Sequence, residues 1–195
     1  RPGWQVVRVE EWTGARGTQA AEVALADVRV PAGNVLGGEG GGFAAVEQIR
    51  AAERVGVAAQ AVGIARAALE ASLAYAGERR AFGKRLADFQ HTQFRLADMA
   101  SQVEAARLLT LRAAFLLDRG DDARSAAAMA KLHAADSAIT LATHAVQIHG
   151  GYGYTCEFPV ERHFRDAAVA QVAAGTADVQ RLAIAADLVP EEGPT

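Results

Sequence analysis

The stretch Glu78-Arg79-Arg80-Ala81-Phe82-Gly83-Lys84-Arg85 packs four cations into eight positions. Guanidinium and ammonium groups this dense could grip a phosphate-bearing ligand through charge-assisted hydrogen bonds. The same charges would also complement the negative end of a helix dipole, so composition leaves both readings open. A second candidate is Gln147-Ile148-His149-Gly150-Gly151-Tyr152-Gly153-Tyr154. Its glycines could cap a helix, or leave backbone bare so that a flat ligand comes close. A third is Ala174-Gly175-Thr176, just before Asp178. Free N–H groups at a helix start could hold an anion or a polarised oxygen there. The plainer alternative is an ordinary Thr176 N-cap.

The remaining reactive residues offer less. Gly40, Gly42 and Ala45 form a G-x-G-x-x-A pattern, but a loop precedes it where a dinucleotide site needs a strand. It reads as a linker. His91, His133, His144, His149 and His163 lack metal-ligand spacing, so no metal site is expected. Cys156 has no cue for activation. One cysteine cannot form an internal disulfide, which points to a reducing, cytoplasmic setting.

These residues need elements to position them. The 195 residues carry a net charge of −3 and 51% hydrophobic side chains, which excludes disorder and fits one domain, or one plus a piece of another. A sequence pI near 6.0 gives no electrostatic reason to expect nucleic acid. No charge-free run of about 18 apolar residues is evident, so no membrane span is expected. The chain opens on Arg1 with no signal peptide behind it, as a fragment of a longer protein would.

The 46 alanines, with only Pro159 and Pro190 between residues 32 and 190, predict helix over most of the length. Residues 4–12 and 20–30 instead alternate apolar with polar, as half-buried strands do, and should end a larger sheet. Residues 31–42 form a linker. Helices are predicted at about 43–75, 88–117, 122–149, 159–166 and 176–188, with Asp88 as an N-cap and Gly120 closing the second. The predicted inward faces are Val57, Ala61, Ile64, Ala68, Ala71 and Tyr75 in the first helix, and Met129, Leu132, Ala135, Ile139, Ala142 and Val146 in the third. Val179, Leu182 and Ala186 should face inward in the last. Long helices with short loops make an antiparallel four-helix bundle the expected fold. The expected organisation is residues 1–36 as strands of a β-domain plus linker, 37–190 as the helical domain, and 191–195 as a loose tail.

Several motifs then occur in one order: Val28-Arg29-Val30-Pro31, Asn34-Val35-Leu36-Gly37, Arg79-x-Ala81-Phe82-Gly83, Asp88-Phe89-Gln90, Gln147-Ile148-x-Gly150-Gly151-x-Gly153-Tyr154, Glu157-x-Pro159-x-x-Arg162, Arg165-Asp166 and Gly175-Thr176. Together they resemble the C-terminal part of acyl-CoA dehydrogenases. The resemblance implies a mainly α fold, a four-helix bundle preceded by the last strands of a middle β-domain, and a chain inactive by itself. It implies FAD as cofactor and an acyl-CoA as substrate. It further implies an electron-transfer flavoprotein or similar acceptor, and a homodimer or homotetramer. Arg79 matches the arginine that reaches the FAD pyrophosphate of a neighbouring subunit. Phe82 and Gln90 match further FAD contacts, and Gln147, Ile148, His149, Gly150 and Gly151 match the segment beside the adenosine. Thr176 and Asp178 also match FAD contacts, although the family more often has Thr-Ser-Glu there. Arg54 and Gly175 match substrate-side positions.

One departure bears on the chemistry. Most members carry a catalytic glutamate directly before Gly-Thr, where this chain has Ala174. The isovaleryl-CoA and long-chain branches instead place the base on the first bundle helix, directly before an arginine. Here that position is Glu53, before Arg54. The resemblance thus implies that Glu53 takes the α-proton while the β-hydrogen leaves as hydride to the flavin. The Ala174 N–H would stabilise the thioester oxygen, a role that needs no side chain. Taken singly, Glu53 reads as a helix glutamate paired with Arg50 three residues earlier. Two other readings stay open: a non-catalytic FAD-binding subunit of a hetero-oligomer, and a family member that oxidises a carrier-protein thioester.

Overall fold

The computed structural model describes residues 2–189, and for Gln48 the backbone alone. The tail at 191–195 lies outside the described residues. The chain divides into two compact units at Ile49/Arg50.

In the first unit, β1 (Trp4–Val9) and β2 (Ala21–Leu25) pair antiparallel, with Trp4 opposite Leu25 and Val6 opposite Val23. Both strands are shorter than their alternation predicts. After Val9 one further bond, Glu10 N–H to Ala20 O at 2.9 Å, closes the ladder. Ala15 and Asp27 then take positive φ, a turn conformation that ends pairing. Every strand residue is exposed. An isolated two-stranded hairpin is marginal in water.

Helix α1 (Gly42–Glu78) has 37 residues, about 55 Å at 1.5 Å per residue. Its buried row is Ala51, Arg54, Ala58, Ala61, Ala65, Ala68, Ser72 and Ala76. The predicted row shares only Ala61 and Ala68 with it. Val57, Ile64, Ala71 and Tyr75 flank the contact half-buried. Small side chains take the centre because they let helices approach closely, while larger ones fill the margins. Among the described residues α1 is the one helix long and apolar enough to cross a membrane by length and composition. Its buried row nevertheless packs into the helical core.

A hairpin of β3 (Arg80–Ala81) and β4 (Lys84–Arg85) follows, with Phe82-Gly83 at its tip. Asp88 does not cap α2 (Gln90–Asp118), whose N-cap is Phe89. Its carboxylate instead accepts the Arg85 backbone N–H at 3.1 Å and closes the short 3-10 turn Leu86–Asp88. Gly120 ends α2 as predicted. It has φ +73, its N–H reaches Leu117 O, and Asp121 N–H reaches Leu116 O, the paired bonds of a Schellman motif.

Helix α3 (Arg124–His149) touches α2, α4 (Val160–Val172) and α5 (Ala177–Leu188). Being central, it buries Ala127, Ala130, Ala134, Ala138, Leu141 and Ala145. The predicted Met129, Leu132, Ile139 and Val146 are only half-buried. Helix α4 runs further than 166, because Ala167 and Ala170 bury and no breaker intervenes before Gly175. On α5 the predicted inward row faces out: Leu182 is 71% exposed, and Val179 and Ala186 are also exposed. Gln180 is the buried residue there, and its hydrogen bonds set the rotation of the helix.

Candidate functional site

A cavity of about 500 Å³ lies among the end of α1, the start of the β3–β4 segment and the end of α3. Arg79, Ile148, His149, Gly150 and Gly151 line it together, with Tyr152 of the same glycine-rich stretch and Tyr75, which the sequence placed only on the inward face of the first helix. The glycines differ in what they need. Gly150 turns the chain out of α3 at φ +60, and a side chain at Gly153 would strike the Val146 carbonyl. A Cβ on Gly150 or Gly151 would meet nothing within 4 Å, so that stretch is bare backbone facing open space. His149 is buried, stacked on Tyr75 at 4.1 Å between centroids and edge-on to Phe158 at 5.3 Å. Burial pushes its imidazole pKa down, and the hydrogen bond to Ala145 O at 2.8 Å opposes that shift. It is therefore a packed wall of the cavity.

The cation cluster splits into two groups. Arg85 forms a two-pronged pair with Asp88, and Lys84 lies 4.1 Å over the Phe89 ring. These two serve the local turn. Arg79 and Arg80 are exposed and form no ion pair among the described residues. The Arg79 guanidinium sits 5.8 Å from the Tyr152 ring centroid, beside the bare glycines. Phe82 holds φ +48 while 96% exposed. A bulky residue in that conformation is an outlier, since such two-residue turns favour Asn-Gly. Gln147 lines an adjoining cavity with His91 and Arg95, whereas Phe82 and Gln90 lie outside both cavities. An unpaired arginine beside exposed glycine backbone and aromatic rings suits a phosphate joined to a flat ring system, which fits the pyrophosphate and adenosine of FAD.

The third candidate is the turn between α4 and α5. Ala174 has φ +54 and Gly175 φ +94. Thr176 is the N-cap of α5, but its hydroxyl makes no capping bond. Asp178 pairs with Arg181 at 2.8 Å. Among the described residues the Ala174 and Gly175 N–H groups meet no acceptor. From behind, Lys131 Nζ donates to Gly175 O at 2.6 Å and to Gln171 O at 3.3 Å. Gln180 Nε2 donates to Ala174 O at 2.9 Å and Gly175 O at 3.0 Å. Burial pushes the Lys131 pKa down, Asp136 opposes this, and Arg54 adds to it by repulsion. Arg54 of α1 thus lies in the same electrostatic neighbourhood as the lysine that grips the turn.

Glu53, one residue away, is exposed and makes no hydrogen bond or ion pair among the described residues. The pairing with Arg50 that its spacing suggests is not formed. Sequence reasoning missed Lys131 and Gln180. Lys131 left one signal: it interrupts the run Ala126-Ala127-Ala128-Met129-Ala130 on a row that continues through Ala134 and Ala138.

Comparisons with known proteins concern the family and the fold. The family described as "Acyl-CoA dehydrogenase, C-terminal domain" matches residues 40–189. The "Probable acyl-CoA dehydrogenase YngJ" of Bacillus subtilis is 46% identical over 188 residues, which are 96% of this chain and 50% of that protein. The solved butyryl-CoA dehydrogenase of Megasphaera elsdenii superposes with TM-score 0.94 at 45% identity, over 96% of this chain and 49% of that one. The FAD complex of PigA superposes with TM-score 0.91 at 31% identity, over 96% of this chain and 49% of that one. The chain spans about half the length of the relatives it matches. With its helical bundle, bare glycine turn and Gly-Thr helix start, the chain belongs to the acyl-CoA dehydrogenase family.

Proposed function

We propose that this chain forms part of an FAD-dependent acyl-CoA dehydrogenase that converts an acyl-CoA into its 2-enoyl thioester. The observation that carries the reading is the Ala174-Gly175-Thr176 turn, with a bare Ala174 N–H and a buried Lys131 gripping the Gly175 carbonyl from behind. An α-C–H is a very weak acid, and its removal pushes negative charge onto the thioester oxygen. A preorganised N–H aimed at that oxygen stabilises the charge as it develops. Ala174 supplies this donor through its backbone, so losing the family's usual glutamate there costs the turn nothing. Glu53 takes the α-proton, as a carboxylate with no competing partner of its own. Arg54 and Gly175 lie on the substrate side.

FAD, when bound, would supply the acceptor for the β-hydrogen as hydride. Arg79 would hold its pyrophosphate, the backbone at Gly150 and Gly151 would face the adenosine with Gln147, Ile148 and His149, and Phe82, Gln90, Thr176 and Asp178 would add contacts. Similarity to butyryl-CoA dehydrogenase favours short acyl chains. The assembly is a homodimer or homotetramer, in which Arg79 serves a neighbouring subunit's flavin, and electrons leave to an electron-transfer flavoprotein or similar acceptor.

The test is Glu53→Gln in the flavin-loaded enzyme, mixed anaerobically with butyryl-CoA. Flavin bleaching should slow about 10²–10⁴-fold, the usual contribution of a general base, with FAD content unchanged. Full-speed bleaching by the variant removes Glu53 from the mechanism. A wild-type protein that keeps FAD but is bleached by no acyl-CoA is the non-catalytic subunit instead.

A further inference from the structure

We infer that Lys131, acting with Gln180, is a positioning residue that holds the Ala174 N–H in place for the thioester oxygen. This rests on the reading of the turn given above and adds the group that keeps it rigid. Lys131 is 1% exposed in an alanine core. Burying an ammonium group is costly, and an apolar side chain of similar length would fit such a core at lower cost. What the lysine gains is specific: its two acceptors are Gln171 O, in the last turn of α4, and Gly175 O, in the turn itself. Last-turn carbonyls of a helix lack helical partners, and a cation is the natural donor to them.

Peptide geometry carries the effect from the carbonyls to the N–H groups. No cis peptide occurs among the described residues, so each C=O points opposite to the N–H of the same peptide unit. Gly175 O is held by both Lys131 and Gln180, which turns the Thr176 N–H away from the core. Ala174 O is held by Gln180, which does the same for the Gly175 N–H. On the other side, Ala173 N–H is fixed to Val169 O at 2.9 Å. The Ala174 N–H belongs to the peptide unit between these anchors, which limits how far it can swing. Ala174 also needs such bracing for its own sake, because a non-glycine residue at φ +54 persists only where its surroundings over-determine it.

The experiment uses the flavin-loaded enzyme and isotope-labelled crotonyl-CoA, whose carbonyl infrared band moves down when an N–H polarises it. In the wild type the band should shift down on binding. In K131M it should return at least halfway to its position in water, and kcat should fall about 100-fold, the cost of misplacing a catalytic contact by roughly 1 Å. KM and FAD content should change little, which a general packing defect would not achieve. Q180M removes the other brace and should move the band the same way. It also deletes the Gln180 Oε1, which is buried with no hydrogen-bond partner, so it decides the matter if K131M fails to fold. E53Q should keep the wild-type band while losing flavin bleaching. A wild-type downshift that the Lys131 and Gln180 variants both preserve overturns the brace alone. No downshift in the wild type overturns the reading of the turn, and the brace with it.

Discussion

Lys131 and Arg79 are both cations beside candidate ligand contacts, and the fold uses them in opposite ways. Lys131 is buried, and its ammonium is committed to two carbonyls of its own chain. Arg79 is exposed, has no acidic partner among the described residues, and rests beside a tyrosine ring and bare glycines. The difference teaches what burial does to a charge. A buried cation must find partners within the protein and so becomes a brace. An exposed one keeps its hydrogen-bonding capacity for a ligand. The glycines repeat the contrast: Gly153 is required by packing, whereas Gly151 has open space before it.

If that contrast is right, Gly153→Ala should have the largest effect on folding. Its Cβ must displace the Val146 carbonyl, costing about 2–3 kcal/mol as overpacking does. Gly151→Ala should stay within about 0.5 kcal/mol in denaturant titrations of the intact protein, yet weaken FAD binding. Equal destabilisation by both would erase the distinction. Next comes Arg79→Ala, which should weaken FAD about 10- to 100-fold, the loss of a charged hydrogen bond of about 1.5–3 kcal/mol. Lys84→Ala should leave FAD affinity within about twofold, because that cation serves its own turn. Matching losses from the two would return the cluster to a single undifferentiated patch.

The smallest effect concerns pH. Burial lowers the pKa of His144, His149 and His163, with Arg95 and Arg162 reinforcing the shift at His144 and His163. A depressed histidine is neutral when folded, so its stabilising share is complete above the unfolded value of about 6.5. That share is lost as pH falls through 6.5 and then through the lower folded values. Unfolding midpoints compared at about pH 7.5 and 5.5 should therefore drop on acidification, and less so in His149→Phe. An identical drop in that variant would place the proton uptake elsewhere.

Much of this was legible along the chain. Alanine content, the glycines at 120 and 150 and the motif order marked five helices to within a few residues at most ends, because propensity and caps act locally. The Gly-Thr turn and the Gln147–Gly151 segment were legible for the same reason. What failed was the choice of faces. On α1 and α3 the predicted rows were right at Ala61, Ala68, Ala135 and Ala142 but placed larger residues beside them, whereas close helix contacts select the smallest side chains. On α5 the apolar row Val179, Leu182 and Ala186 lost the core to Gln180, whose amide donates to the Ala174 and Gly175 carbonyls at the turn.

The sequence by itself determined where helices start and stop, that a glutamate precedes an arginine at 53–54, and that alanine stands before Gly-Thr. All of these depend on neighbours within a few residues. Only the tertiary structure decided that Lys131 grips Gly175, 44 residues further on, and that Arg79 is left without an acidic partner while Arg85 is not. Such pairings depend on which helices pack together and how each is rotated. Burial and hydrogen-bond satisfaction across the whole core set that rotation, and no single stretch of sequence encodes it.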